Sequence, residues 1–282
     1  MKYLVIYNPY SGNSHGKQYA LELKDKIKAD LEFYNMLEIE DYKKFLHNNK
    51  EDIIVCGGDG TLNYFINHTK DIRHKNNVLY YSTGTGNDFY NDVGDNNHFP
   101  FNIDKYIKYL PTLTVNGEDH YFLNGVGIGV DGVCCEKGDE LKLDSDKPVN
   151  YTSIAIKTIL FDYKPCRAKV IVDGMEFNYD KVYIAAVMNG GCFGGGIKIS
   201  PKQDRLNSKH TVTVVVVHSW NKYRTLLMFP KIVKGQHENY PNVSTFTGKE
   251  VKVIFDKPCA LQMDGEVFKN VSEYVVRTPK AD

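Results

Sequence analysis

Asp52-Ile53-Ile54-Val55-Cys56-Gly57-Gly58-Asp59-Gly60-Thr61-Leu62-Asn63-Tyr64-Phe65-Ile66-Asn67 is the stretch that decides the fold of this chain. Its first five residues are dominated by β-branched side chains and read as a buried strand. Thr61 to His68 sets Leu62, Phe65 and Ile66 on one face and reads as a helix. The turn between them holds three glycines, which tolerate positive φ and let backbone N–H groups come close to an anion. A helix starting at Thr61 adds unpaired N–H groups and the positive end of its dipole. The segment therefore suits phosphate oxygens, and Asp59 within it suits a metal ion or a ribose hydroxyl. It fits neither GxxxxGK[ST] nor GxGxxG. Taken alone, it reads equally well as an ordinary, well-capped strand-to-helix turn.

Two further loops of the same kind strengthen the phosphate reading. Ser82-Thr83-Gly84-Thr85-Gly86-Asn87-Asp88-Phe89 ends a strand over Asn77 to Tyr81 and opens a helical segment. Asn8-Pro9-Tyr10-Ser11-Gly12 ends a strand over Tyr3 to Tyr7. In a parallel sheet all three loops share the carboxyl end of the strands, where open α/β folds bind ligands. Outward from there, Gln18 to Ala29 and Ile39 to Leu46 read as helices and Leu31 to Tyr34 as a strand. The first ~110 residues thus alternate strand and helix, a βαβ pattern.

The pattern changes after about Pro111. Asn116-Gly117, Asp131-Gly132, Asp173-Gly174, Asn189-Gly190 and Asp264-Gly265 punctuate the rest, several between β-rich runs, and such pairs are the strongest short-range hairpin signal. Thr211 to Val217 and Val251 to Phe255 are strands. Tyr151 to Phe161 and Lys222 to Val233, the latter containing Pro230, are helical interruptions. The expected architecture is an α/β N-terminal domain with a parallel sheet (residues 1–112), then a β-rich antiparallel sandwich (113–282) whose last residues return to the first domain or stay in the second. A nucleotide cleft is expected between the two.

Composition narrows the function. Of 282 residues, 42% are apolar, enough for a real core, and Lys plus Arg equals Asp plus Glu at 35 each. No global field draws the chain to nucleic acid or anionic lipid, and no basic run argues for DNA or RNA. No stretch reaches the ~20 apolar residues that span a bilayer, so membrane contact is expected to be peripheral. The start, MKYLVIYNPYSG, reads as a strand rather than a leader. Cys56, Cys134, Cys135, Cys166, Cys192 and Cys259 form no CxxC pair and read as reduced thiols of a cytoplasmic protein.

In order, NPYSG (8–12), GGDGTLN (57–63) and GTGNDF (84–89) resemble the diacylglycerol kinase catalytic-domain family, which includes bacterial lipid kinases and sphingosine and ceramide kinases and is distantly related to NAD kinases. NGVGIGVDG (124–132), GGG-x-x-x-x-P (194–201) and MDGE (263–266) continue the match over nearly the whole chain. The resemblance implies ATP and Mg2+ as cofactors. It implies that Asn8, Ser11, Gly12, Gly57, Gly58, Asp59, Gly60, Thr61, Asn63, Gly84, Thr85 and Asn87 bind the nucleotide, and that Asp59 and Asp88 serve catalysis. It makes Glu266 the catalytic base, taking the proton of the acceptor hydroxyl. The bland reading of Asp264-Gly265 is a hairpin turn, and a turn can also present Glu266. Asp131 reads as a cleft organiser or, in preference, as a plain turn residue. Gly190 to Gly196 reads as a place of close backbone approach. The Tyr151 to Phe161 helix reads as core or as the wall of an acyl pocket.

Some positions depart from the family pattern. Asn13 stands where lysine is usual, with Lys17 the nearest substitute, and Tyr64 replaces glutamate. Asn207-Ser208 stands where several bacterial members hold a structural magnesium with Asp-Gly. Asparagine lacks the charge that hard cations favour, so that metal is not expected here. The leading reading is a lipid kinase acting on diacylglycerol or a related lipid alcohol, peripheral at the inner face of the membrane. The competing readings are an NAD-kinase-like enzyme with a soluble acceptor and a non-catalytic nucleotide-binding regulator.

Overall fold

The computed structural model describes residues 1–84, 86–94, 99–144 and 151–279. The chain divides into two compact units, Met1–Tyr109 and Leu110–Asp282.

The first unit runs β1 (Lys2–Tyr7), α1 (Ser11–Ser14), α2 (Gly16–Leu21), α3 (Leu23–Lys26), β2 (Asp30–Asn35), α4 (Tyr42–Asn48), β3 (Asp52–Gly57), α5 (Asp59–Thr69), β4 (Val78–Ser82), α6 (Asp88–Val93), β5 (Phe101–Asn102) and α7 (Asp104–Ile107). Its sheet has the order β2-β1-β3-β4-β5 among the described residues. The first four strands are parallel, and Tyr7 pairs with Cys56, which pairs with Tyr81. The carboxyl ends of β1, β3 and β4 are therefore level. Leu4, Val5 and Ile6 of β1 and Ile53, Ile54 and Val55 of β3 are all fully buried, as expected where helices cover both faces of a parallel sheet. The single helix expected over Gln18 to Ala29 is instead α2 and α3, and Ile27 is already extended. The helix expected from Ile39 starts at Tyr42, because the Asp41 carboxylate accepts the Lys44 N–H at 2.9 Å and caps it there.

The second unit runs β6 (Thr112–Val115), β7 (Glu118–Tyr121), β8 (Gly125–Gly129), α8 (Val130–Asp144), α9 (Tyr151–Lys157), a π turn (Thr158–Asp162), β9 (Cys166–Val172), β10 (Met175–Val182), β11 (Ile184–Met188), β12 (Val212–Val217), α10 (Lys222–Val233), β13 (Val243–Gly248), β14 (Glu250–Met263) and β15 (Glu266–Arg277). All its strand pairs are antiparallel. The sandwich-like fold is continuous because the long strand β14, paired with β15 on one edge, changes partner along the other, pairing with β9 over Val251–Phe255 and with β8 over Leu261–Met263. Alternation then sorts the side chains into two cores. Val212, Val214 and Val216 of β12 join Ala185 and Val187 of β11 in the interior of the sheet. Val215, Val217, Ala186 and Met188 face the other way, against Cys134, Ile154, Ala155, Met228 and Ile232 of the helices.

Asn116-Gly117, Asp173-Gly174 and Asp264-Gly265 each close a two-residue hairpin with both φ values positive. Two pairs behave otherwise. Asn189-Gly190 ends β11, where both N–H groups donate to the Asn124 carbonyl. Asp131-Gly132, expected as a turn, lies in the first turn of α8. A Cβ on Gly132 would sit 2.0 Å from the Ala260 carbonyl oxygen, so glycine serves the close packing of α8 on β14. The last strand, β15, pairs with β14 and with β6.

Candidate functional site

The loops after β1, β3 and β4 meet in the first unit. At the second, Gly58 is the N-cap of α5 and the helix begins at Asp59, two residues before the start expected from sequence. The first intrahelical bond runs from Leu62 N–H to Gly58 O at 3.1 Å, so the N–H groups of the first turn lie outside the helix's own hydrogen-bond ladder. Gly57 admits no side chain, since a Cβ there would lie 2.4 Å from the Thr61 hydroxyl. At Gly60 a Cβ would meet nothing within 4 Å, which leaves open space beside those N–H groups.

The third loop lies directly against the second. Thr83 N–H donates to Gly57 O at 2.9 Å, and a Cβ on Gly84 would fall 2.5 Å from the Gly58 Cα. Asp59 then binds the two loops electrostatically. Its carboxylate accepts the N–H of Asp88 at 2.6 Å and of Phe89 at 3.2 Å, which are the first donors of α6. Asn87 adopts left-handed backbone, with φ +50°. Its amide N–H donates to Gly84 O, and its Oδ1 is buried with no hydrogen-bond partner. Asp88 is buried in the same turn.

The first loop completes the edge. The Asn8 side chain accepts the Tyr10 N–H at 3.0 Å, and the Ser11 hydroxyl donates to Asn8 O at 2.8 Å. Gly12 takes φ +57°, and a Cβ there would reach 3.2 Å from Thr83 O. Asn8, Ser11, Gly12, Gly57, Gly58, Asp59, Gly60, Thr61, Gly84, Asn87 and Asp88 thus belong to one rim. Asn63 sits a turn deeper, buried, accepting from Asn67. Thr85 lies outside the described residues. Tyr64, at the position where glutamate was expected, stacks on His68 with ring centroids 3.9 Å apart.

Glu266 is in the second unit, the first residue of β15 and exposed. Its place is set by a residue that sequence reading treated only as a turn former. The Asp264 carboxylate accepts the backbone N–H groups of Leu123 (2.6 Å), Asn124 (2.8 Å) and Gly125 (3.1 Å). Arg205 holds the same segment, donating to Leu123 O and to Asn124 Oδ1. The turn that carries Glu266 is therefore fastened to the start of β8. The sequence signal was the MDGE motif itself, but its glycine-rich partner strand β8 could not be told from spacing.

Behind β8 and β11, α8, α9 and α10 enclose an apolar cavity of about 140 Å³, lined by Tyr151, Ala155, Phe193, Gly195, Phe229 and Val233 among others. Asp131 also lines it. Burial pushes its carboxyl up to about 7. The N–H groups of Asp131 and Gly132 and the Gln262 amide oppose that rise, but none meets hydrogen-bond geometry. Gly194, Gly195 and Gly196 are not places of close approach. They take φ +62°, +82° and +103°, and a Cβ on Gly195 or Gly196 would touch nothing within 4 Å. Glycine is needed there for its backbone freedom. At Asn207 both ends of the amide are engaged, donating to Asp204 O and Thr211 O and accepting from Thr211.

Among the described residues, no three His, Cys, Asp or Glu side chains cluster as a metal site. Magnesium that arrives on phosphate oxygens needs only one or two carboxylates, and Asp59 and Asp88 fit that smaller demand. Among the same residues no helix is long and apolar enough to cross a membrane.

Residues 2–112 match the family model described as the diacylglycerol kinase catalytic domain, and residues 124–281 match the YegS C-terminal NAD kinase beta sandwich-like domain. A diacylglycerol kinase from Staphylococcus carnosus is 26% identical, over 98% of this chain and 94% of the relative. One from Staphylococcus aureus is 25% identical, over 93% and 85%. A crystal structure of a diacylglycerol kinase from Bacillus anthracis superposes with a TM-score of 0.63 at 19% identity, covering 98% of this chain and 93% of that one.

Proposed function

The chain belongs to the diacylglycerol kinase family with a YegS-type C-terminal domain, and from that premise we propose that it is an ATP-dependent lipid kinase that phosphorylates the hydroxyl of diacylglycerol or a related lipid alcohol. The observation that carries this reading is the glycine rim of the first unit, where Gly58 and Gly84 touch through bare backbone and Asp59 ties their loops together. The N–H groups at the start of α5 that lie outside its own hydrogen-bond ladder, beside the open space at Gly60, suit the phosphates of a nucleotide. Magnesium on those phosphates would spread their negative charge, with Asp59 and Asp88 as its protein partners.

In this reading the acceptor oxygen attacks the terminal phosphorus as its proton passes to the Glu266 carboxylate. The bond from phosphorus to the bridging oxygen breaks and ADP departs with the electron pair. Asp264 serves as a positioning residue, holding the Glu266 turn.

Transfer of label from ATP to diacylglycerol, long-chain bases and NAD, assayed in parallel, tests the proposal. Label on a lipid alcohol is the expected result. Label on NAD alone would move the chain to the NAD-kinase-like reading, and bound ATP with no transfer to any acceptor would make it a regulator. Glu266→Gln should lower kcat by roughly 10²–10⁴ while leaving nucleotide affinity unchanged.

A further inference from the structure

We propose that the outer face formed by α9, the π turn and α10 docks the second unit on an anionic lipid surface, an inference that rests on the lipid-kinase reading for its biological sense but not for its physics.

The inner face of these elements is spent on the core: Ile154, Ala155, Ile159, Met228 and Ile232 are buried there. Their outer face carries apolar side chains that no core requires. Phe161 and Leu227 are each 77% exposed and Tyr223 is 69% exposed. Scattered exposed hydrophobes are ordinary, whereas adjacent ones mark interaction sites. These are neighbours, because the π turn packs on α10 and Lys222 Nζ donates to Leu160 O at 3.2 Å. Tyr223 and Leu227 also lie four residues apart, on one stripe of α10.

Charge selects the occupant. The segments 151–164 and 222–234 hold Lys157, Lys164, Lys222, Arg224, Lys231 and Lys234. Their one acid, Asp162, is paired with Lys137. This cationic excess is local, since the whole chain carries 35 basic and 35 acidic residues. Exposed apolar side chains on elements rich in lysine and arginine match the boundary between acyl chains and anionic headgroups. A second copy of the same face would set cation against cation in a two-fold contact. Tyr151 of α9 and Phe229 of α10 line the apolar cavity on the inner side of the same helices.

The test is co-flotation of the full chain with vesicles of phosphatidylcholine alone and of phosphatidylcholine mixed with phosphatidylglycerol. Wild type should float with the mixed vesicles, less so as salt rises. The Phe161→Ser/Leu227→Ser double variant should bind them roughly tenfold more weakly, and Arg224→Glu/Lys234→Glu should lose the preference for phosphatidylglycerol. Both pairs replace exposed side chains, and unchanged circular dichroism and ATP binding establish that they fold. Both should still phosphorylate a short-chain acceptor dissolved as monomer. Absence of wild-type flotation, or variants that float like wild type, overturns the docking face. So does self-association in wild type that the apolar pair abolishes, which would assign the patch to a second copy. If no acceptor is phosphorylated while the variants still lose vesicle binding, the kinase reading falls and the docking face stands.

Discussion

A methyl group on Gly84 would lie 2.5 Å from the backbone of Gly58, whereas one on Gly60 would touch nothing within 4 Å. Two glycines of the same rim therefore have different duties. Gly84→Ala should destabilise the fold by about 1–3 kcal/mol, because backbone cannot move aside cheaply, and urea unfolding would measure it. Gly60→Ala should leave stability unchanged or slightly raised, since alanine suits a helix better than glycine, while nucleotide binding weakens because the methyl enters the open space at the start of α5. Asp131 supplies a pH signature. Its carboxyl is pushed up to about 7 by burial, above the ordinary value of the unfolded chain. The native state therefore keeps a proton that the unfolded state has lost. Stability from this group is full below the unfolded pKa, falls as pH rises toward about 7, and stays lost above it. Asp131→Asn should accordingly raise the urea midpoint more at pH 8 than at pH 5, and an equal shift at both would place the ionisation elsewhere. None of this was legible from the chain. Asp131-Gly132 carries the same dipeptide signal as a hairpin, and burial of its carboxyl depends on α8 packing on β14.

At the scale of the element, the hairpins show what local sequence settles and what it does not. Asn116-Gly117, Asp173-Gly174 and Asp264-Gly265 announce their own turns, because positive φ at both positions is a local demand that these residues meet. What each turn is fastened to is not local. Asp173 accepts the N–H groups of Lys249 and Glu250, and Asp264 accepts those of Leu123, Asn124 and Gly125. Asp264→Ala should cost about 2–4 kcal/mol, from three lost charge-assisted bonds and three stranded donors. It should also lower kcat with little change in ATP affinity, because the Glu266 turn comes loose. Thermal unfolding and ATP titration on the same sample separate the two effects. Asp264→Asn, which keeps an acceptor oxygen, should recover part of both.

For the whole molecule, ligand linkage offers the broadest check. ATP at about a hundred times its Kd should add ~2.7 kcal/mol to the stability of the unit that binds it. Calorimetry should show this shift in wild type and in Glu266→Gln, and a much smaller one in Gly84→Ala. The chain alone determined the two-part architecture, the strands and their carboxyl-end loops, three hairpins and the family, because these follow from side-chain period, glycine placement and motif order, all of which act over a few residues. Only tertiary structure decided that Asp59 spends its carboxylate on the first N–H groups of α6, that Asp264 anchors the turn of Glu266, that Asp131 is shut away uncompensated, and that Phe161, Tyr223 and Leu227 come together outside the core. Each of these depends on groups from about 30 to about 140 residues apart in the chain, and no local propensity specifies a contact that exists only once the surrounding elements have packed.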